Sequence, residues 1–136
     1  MKIEKSRIKD LYYTMDHEWI DFQGSVAYTG ICHFKLTGFK QIQEIVFNAP
    51  SGFKKKGEVI ATLRYNDYLI SAHMPVDGKI LQVNEKLLNG GYDMLLDCAE
   101  STGWIALISP SSPHERQGLL LPKQYQMNGK SKYAKS

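Results

Sequence analysis

The chain has 136 residues, 43% of them hydrophobic, with 17 basic against 14 acidic residues and a net charge of +3. That supplies one compact core but not two, and so small a surplus, with lysines gathered toward both ends, argues against a nucleic-acid partner. No apolar run approaches the roughly 18 residues of a membrane span, and two cysteines, Cys32 and Cys98, are too sparse for a disulfide scaffold, so a soluble, cytoplasmic monomer is expected.

Residues 1–10 are polar, with no apolar run that could serve as a secretory signal, and Glu4 and Asp10 count against an organellar transit peptide. This segment is expected to be flexible, ahead of a single domain over 11–127. Residues 18–22 and 25–29, two short runs rich in apolar and aromatic side chains, flank a Gln-Gly connection, the pattern of a β-hairpin. A short helix is expected over 34–42, weakened by about 1 kcal/mol at Gly38. Strands follow at 43–48, 59–65, 68–73, 79–83 and 104–108, several rich in Val, Ile and Tyr. Short runs divided by Pro50-Ser51-Gly52, Asn66-Asp67, Asp77-Gly78, Asn89-Gly90-Gly91 and Thr102-Gly103 point to a mostly β, antiparallel sandwich or barrel.

After Pro110, Ser112 can cap free backbone N–H groups, Pro113 fits the first helical position, and Glu115 sits three residues beyond the cap. This capping box predicts a C-terminal helix with Leu119, Leu120 and Leu121 on its apolar face, packed on the sheet edge. Residues 128–136, lysine-rich and without apolar period, are expected to form a disordered basic tail.

Few side chains in this pattern suggest chemistry. A zinc site needs several ligands at short spacing, and of His17, Cys32, His33, His73, Cys98 and His114 only Cys32 and His33 adjoin, on opposite faces of any strand. No metal site is predicted, nor a Cys-His nucleophile pair, which needs a base held in reach. Cys98 reads as a small core residue. The Lys54-Lys55-Lys56 run reads as a solvated turn, with an anion site as the sharper alternative. Asn66-Asp67 reads as a tight turn, because both residues tolerate positive φ. Arg64 and Asp67 could pair across it for about 0–1 kcal/mol, and Tyr65 and Tyr68 would be cross-strand neighbours worth roughly 0.2–1 kcal/mol.

The ordered pieces together resemble one family. Tyr13-Thr14 with His17-Glu18-Trp19, Gly30-Ile31, Ile45-Val46-Phe47 with Pro50, Gly57-Glu58, Pro75-Val76 with Gly78, Val83-Asn84-Glu85, Gly103-Trp104, and Leu119-Leu120 with Tyr125 are similar to the signature of glycine cleavage system H proteins. The likeness runs from Tyr13 to Tyr125. It implies a lipoyl/biotinyl-type β-sandwich, also called a barrel-sandwich hybrid, with a short helix after the first hairpin and C-terminal helices. It also implies a carrier rather than an enzyme, with lipoic acid on a lysine at a hairpin tip.

Across that hairpin the family pattern needs no gap from Gly57 to Gly78, and its Glu-Ser-Val-Lys falls on Arg64-Tyr65-Asn66-Asp67. Asp67 therefore occupies the lipoyl-lysine position, and no lysine lies between Gly57 and Gly78. At about 3.3 Å per residue, Lys56 and Lys79 at the far strand ends are tens of ångströms from the tip. Between Gly30 and Pro50 the chain is about two residues longer than the family pattern, and the loop from Pro50 to Gly57 is shorter. The resemblance thus implies a domain without cofactor that binds a glycine cleavage or lipoate-handling enzyme through Arg64, Tyr65, Asn66, Asp67 and Tyr68. The alternative is a genuine lipoyl carrier with an unusual attachment site.

Overall fold

The computed structural model describes residues 10–48, 51–100 and 102–126. Two antiparallel sheets face each other across one core. The larger contains β1 (Leu11–Tyr13), β2 (Glu18–Gln23), β3 (Val26–Ile31), β5 (Gly52–Lys54), β8 (Gly78–Val83) and β9 (Ala106–Pro110), in the order β1-β2-β3-β9-β8-β5. The smaller is β4 (Glu44–Phe47), β6 (Val59–Tyr65) and β7 (Tyr68–His73), in the order β4-β6-β7. The mostly β sandwich expected from the turn spacing is present. Strands β1 and β5, three residues each, are too short to show an alternation and were not predicted.

Period-two patterning builds the core. Ile20, Ile31, Leu63, Ile80 and Ile108 lose all exposure between the sheets, and each such side chain contributes about 1.5–3 kcal/mol of burial. In the β2–β3 hairpin Gln23 pairs with Val26, so the turn is Gly24-Ser25, with Gly24 at φ 70°. Trp19 lies across Gly30, where an added Cβ would sit 2.9 Å from three indole atoms. The indole N–H donates to the Ala99 carbonyl at 2.9 Å. The large sheet thereby holds α2 (Asp93–Cys98) and its end, whose Leu95 and Ala99 are buried. Before it, α1 (Glu85–Leu88) is capped by Asn84, whose Oδ1 accepts the Lys86 N–H while its amide donates to the carbonyls of Thr102 and Trp104. Neither helix was predicted, because four and six residues are too few for a helical period.

The two helices that were predicted are shorter or elsewhere. The segment 34–42 forms only a 3-10 turn, His33–Leu36, followed by Gly38 at φ 94°, a conformation that ends any helix. Residues 111–119 form turns rather than a helix, and the one at Ser112 is closed by its backbone, with the Glu115 N–H on the Ser112 carbonyl at 3.0 Å, rather than by the expected side-chain cap. The competing partner is the edge of β1: Leu120 and Tyr13 exchange both backbone hydrogen bonds at 2.8 Å. Arg116 anchors the approach, its guanidinium 3.5 Å from the Phe22 ring centre and 2.7 Å from Asp10 Oδ2. A helical stretch over 122–126 then begins at Pro122, a position proline favours. The expected docking on a sheet edge holds; the helix that was to do it starts later. Of the segment 1–10 only Asp10 is among the described residues, and the tail 128–136 lies outside them.

Tyr125 closes this end. Its ring stacks on Tyr13 at 4.4 Å, its hydroxyl meets His17 Nδ1 at 2.8 Å, and it lies beside the wholly buried Cys32. Burial pushes the Cys32 thiol up to about 12, and burial first, then neighbouring acidic groups, raises the Tyr13 and Tyr125 hydroxyls too. Among the described residues no helix is long and apolar enough to cross a membrane.

Two outcomes follow from this packing. Gly30→Ala forces a methyl into the Trp19 indole and is expected to cost about 1–3 kcal/mol, read as a lowered urea midpoint. The raised thiol and phenols must stay neutral in the native state while the unfolded chain ionises. Stability is therefore intact below about pH 9 and declines as pH climbs toward 12. Urea midpoints taken across that range should fall, and Cys32→Ala should make the fall between about pH 9 and 12 shallower.

Candidate functional site

The β6–β7 hairpin projects a two-residue turn. Tyr65 pairs with Tyr68, leaving Asn66 and Asp67 at the tip, and Asn66 takes φ 55° as a turn residue there must. Asn66 can occupy that left-handed region because its short amide bonds locally. Gln43, just before β4, supplies the bonds: its Oε1 accepts the Asn66 N–H at 2.8 Å and its Nε2 donates to Asn66 Oδ1 at 3.2 Å. The same Oε1 accepts from the Arg64 guanidinium at 3.0 Å.

Arg64 is thereby directed away from the place the sequence suggested. Its Nε lies 3.2 Å from Glu44 Oε1 on the neighbouring strand, and it does not pair with Asp67. The register explains this, since Arg64 stands opposite Glu44 and Leu69 on the outer face while Asp67 is in the turn. Among the described residues Asp67 has no ion pair or side-chain hydrogen bond, and it is exposed. Tyr65 and Tyr68 are neighbours as expected, their rings 6.5 Å apart and 14° from parallel. Phe39, from the loop after the 3-10 turn, joins them at 5.8 and 6.3 Å. Tyr68 and Leu69 remain 61% and 64% exposed. The tip is a fixed aromatic ledge carrying one unpaired carboxylate, and it offers no amine for acylation.

A second constellation lies where β7 meets the β1–β2 turn. Glu18 is nearly excluded from solvent, and its Oε2 accepts from Lys35 Nζ at 2.8 Å, from the His73 backbone N–H at 2.7 Å and from His73 Nδ1 at 2.8 Å. Thr14 Oγ1 bonds the other oxygen at 3.4 Å and accepts the N–H groups of Asp16 and Glu18 at 3.2 Å. Asp16 Oδ2 stands 4.0 Å from His73 Nδ1. Sequence reasoning singled out the His17-Glu18-Trp19 signature but had no local signal for His73, 55 positions away.

The remaining sequence candidates do not assemble. Cys32 is buried beside Tyr125, whereas His33 is exposed and its backbone N–H donates to Glu100 at 2.9 Å. Cys98, expected in the core, is exposed, because α2 turns Leu95 and Ala99 inward instead. Along the lysine run, the N–H groups of Lys55 and Lys56 are taken at 2.7 Å by the carboxylates of Glu58 and Asp77. Internal carboxylates thus hold those two amides.

Comparison with known proteins agrees with this architecture. The profile of the family Glycine cleavage H-protein matches residues 11–132. A "Probable glycine cleavage system H protein" of Aeropyrum pernix is 35% identical over 117 residues, covering 86% of this chain and 81% of its own. A glycine cleavage system H protein of Alkaliphilus oremlandii is 30% identical over 118 residues, covering 87% and 91%. The crystal structure of a glycine cleavage system H protein from Mycobacterium marinum superposes with a TM-score of 0.74 at 21% identity, over 90% of this chain and 99% of that one, which supports the fold. A sandwich of this topology, matched by the family profile over nearly its whole length, places the chain in the glycine cleavage H-protein family.

Proposed function

We propose that this chain is an H-protein-like domain that carries no lipoate and works by protein recognition in the cytoplasm, with no catalysis of its own. The observation that carries the reading is the tip itself. In the gap-free register from Gly57 to Gly78, Asp67 stands where the family's lipoyl-lysine is expected, and lipoylation requires an ε-amine that a carboxylate cannot replace. The surroundings of Asp67 suit a contact surface better than a mobile arm. Gln43 holds Asn66 from two sides, Arg64 is bound to Glu44, and the exposed aromatic ledge of Tyr65 and Tyr68 is of the type enriched at interfaces.

The partner in this reading is an enzyme that recognises the H-protein fold, either a glycine cleavage component or a lipoate-handling enzyme. Arg64, Tyr65, Asn66, Asp67 and Tyr68 form the surface it meets. Membership in the family motivates the choice, since recognition of a folded domain does not require the arm. The domain spans 11–127 in this account, in keeping with the family match over 11–132.

Co-expression with an active lipoate ligase, followed by intact-mass measurement, separates this reading from a genuine carrier. The native chain should stay unmodified, while Asp67→Lys should gain the mass of one lipoyl group. A lipoyl group on the native chain, at any lysine, would overturn the reading in favour of the carrier. Gln43→Ala should free the tip, costing about 0.5–1.5 kcal/mol in stability and speeding hydrogen exchange at the Asn66 amide. If the tip is the docking surface, the same variant should also weaken capture of glycine cleavage proteins from the native cells.

A further inference from the structure

The geometry points to a binding site for one divalent transition-metal ion of the zinc class, formed by His73 Nδ1, a Glu18 carboxylate oxygen and an Asp16 carboxylate oxygen. These three atoms come from β7, β2 and the β1–β2 turn and lie within 4.8 Å of one another. Zinc bonds of about 2.0–2.2 Å to nitrogen and oxygen place tetrahedral ligands roughly 3.3 Å apart. The Glu18–His73 separation of 2.8 Å must open by about half an ångström, and Asp16, 67% exposed, is free to close in. One imidazole with two carboxylates is a donor set suited to zinc, cobalt or manganese rather than to calcium or magnesium, which prefer oxygen alone.

Three features separate this group from an ordinary cluster of surface acids. The central carboxylate is buried, with its side chain 2% exposed, so it already requires compensating positive charge. Thr14 Oγ1 accepts both the Asp16 and the Glu18 N–H, and thereby fixes the turn that carries two of the ligands. The His73 ring is 26% exposed, which leaves a path for the ion and an open coordination position facing solvent.

Without metal, Glu18 Oε2 is served by the Lys35 ammonium and the His73 Nδ1–H, both at 2.8 Å, and also by the His73 backbone N–H at 2.7 Å. Metal binding replaces the second and expels the first. The imidazole changes tautomer, losing its Nδ1 proton to solvent while solvent-facing Nε2 takes one up, so the neutral ring offers its Nδ1 lone pair to the ion, and the Lys35 ammonium swings outward still protonated. Lys35 is thus a built-in competitor, occupying the carboxylate when the metal is away.

Titration of the full-length protein with Zn2+ against a chromophoric chelator tests this. One Zn2+ should bind per chain, with affinity lowered about 100-fold in His73→Ala and about tenfold in Asp16→Ala, and raised several-fold in Lys35→Met. Asp16 is exposed, so its replacement leaves the fold standing even if His73→Ala does not. No one-to-one binding, or binding indifferent to Asp16→Ala and lost instead in Cys98→Ser or His114→Ala, would overturn the assignment.

Discussion

The charge on Glu18 is the constraint around which the two sheets are arranged. A carboxylate removed from water costs several kcal/mol unless it is paired and hydrogen-bonded. Here the partners come from three separate parts of the chain: Thr14 from the preceding turn, Lys35 from the 3-10 turn and His73 from the end of β7. Strand β2 belongs to the six-stranded sheet and β7 to the three-stranded one, so satisfying one oxygen holds an edge of the small sheet against the large one. The apolar core between them supplies most of the stabilisation and no direction of its own. Glu18 supplies a fixed relative placement.

The hairpin depends on that placement at its base and on Gln43 at its tip. Between them β6 and β7 run in register from Ala61–Ala72 to Tyr65–Tyr68, with an irregularity only at Val59–Ala61. A ribbon held at both ends presents its crown in one arrangement, with Asn66 fixed by Gln43 and Tyr65 paired with Tyr68. Association with such a surface loses less entropy than association with a flexible loop.

Much of the sandwich was legible because strands advertise themselves locally. The runs 18–22, 59–65 and 68–73 alternate or concentrate β-branched and aromatic residues, and Gly24-Ser25 and Asn66-Asp67 mark turns by their own backbone preferences. Helices were read less well. The capping box expected at Ser112 is replaced by a single backbone turn, Leu120 takes its hydrogen bonds from the open edge of β1, and tertiary pairing overrides local propensity. The short α1 and α2 are held by Asn84, by Trp19 and by burial of Leu95, none of which a window of sequence can register.

What the amino-acid order alone determined is the chemistry at hand: a β-rich chain with H-protein signatures, and a hairpin without an amine between Gly57 and Gly78. Those are properties of residue type and near-neighbour spacing, which need no third dimension. What only the folded chain decided is who meets whom: Arg64 with Glu44 rather than Asp67, Tyr125 with Tyr13 and Cys32, and His73 with Glu18 and Asp16. Such pairings join distant parts of the chain, as Tyr125 at one end of the domain meets Tyr13 at the other. They arise because a buried charge or an open strand edge takes whichever partner the packing of the core delivers, and no local pattern encodes that delivery.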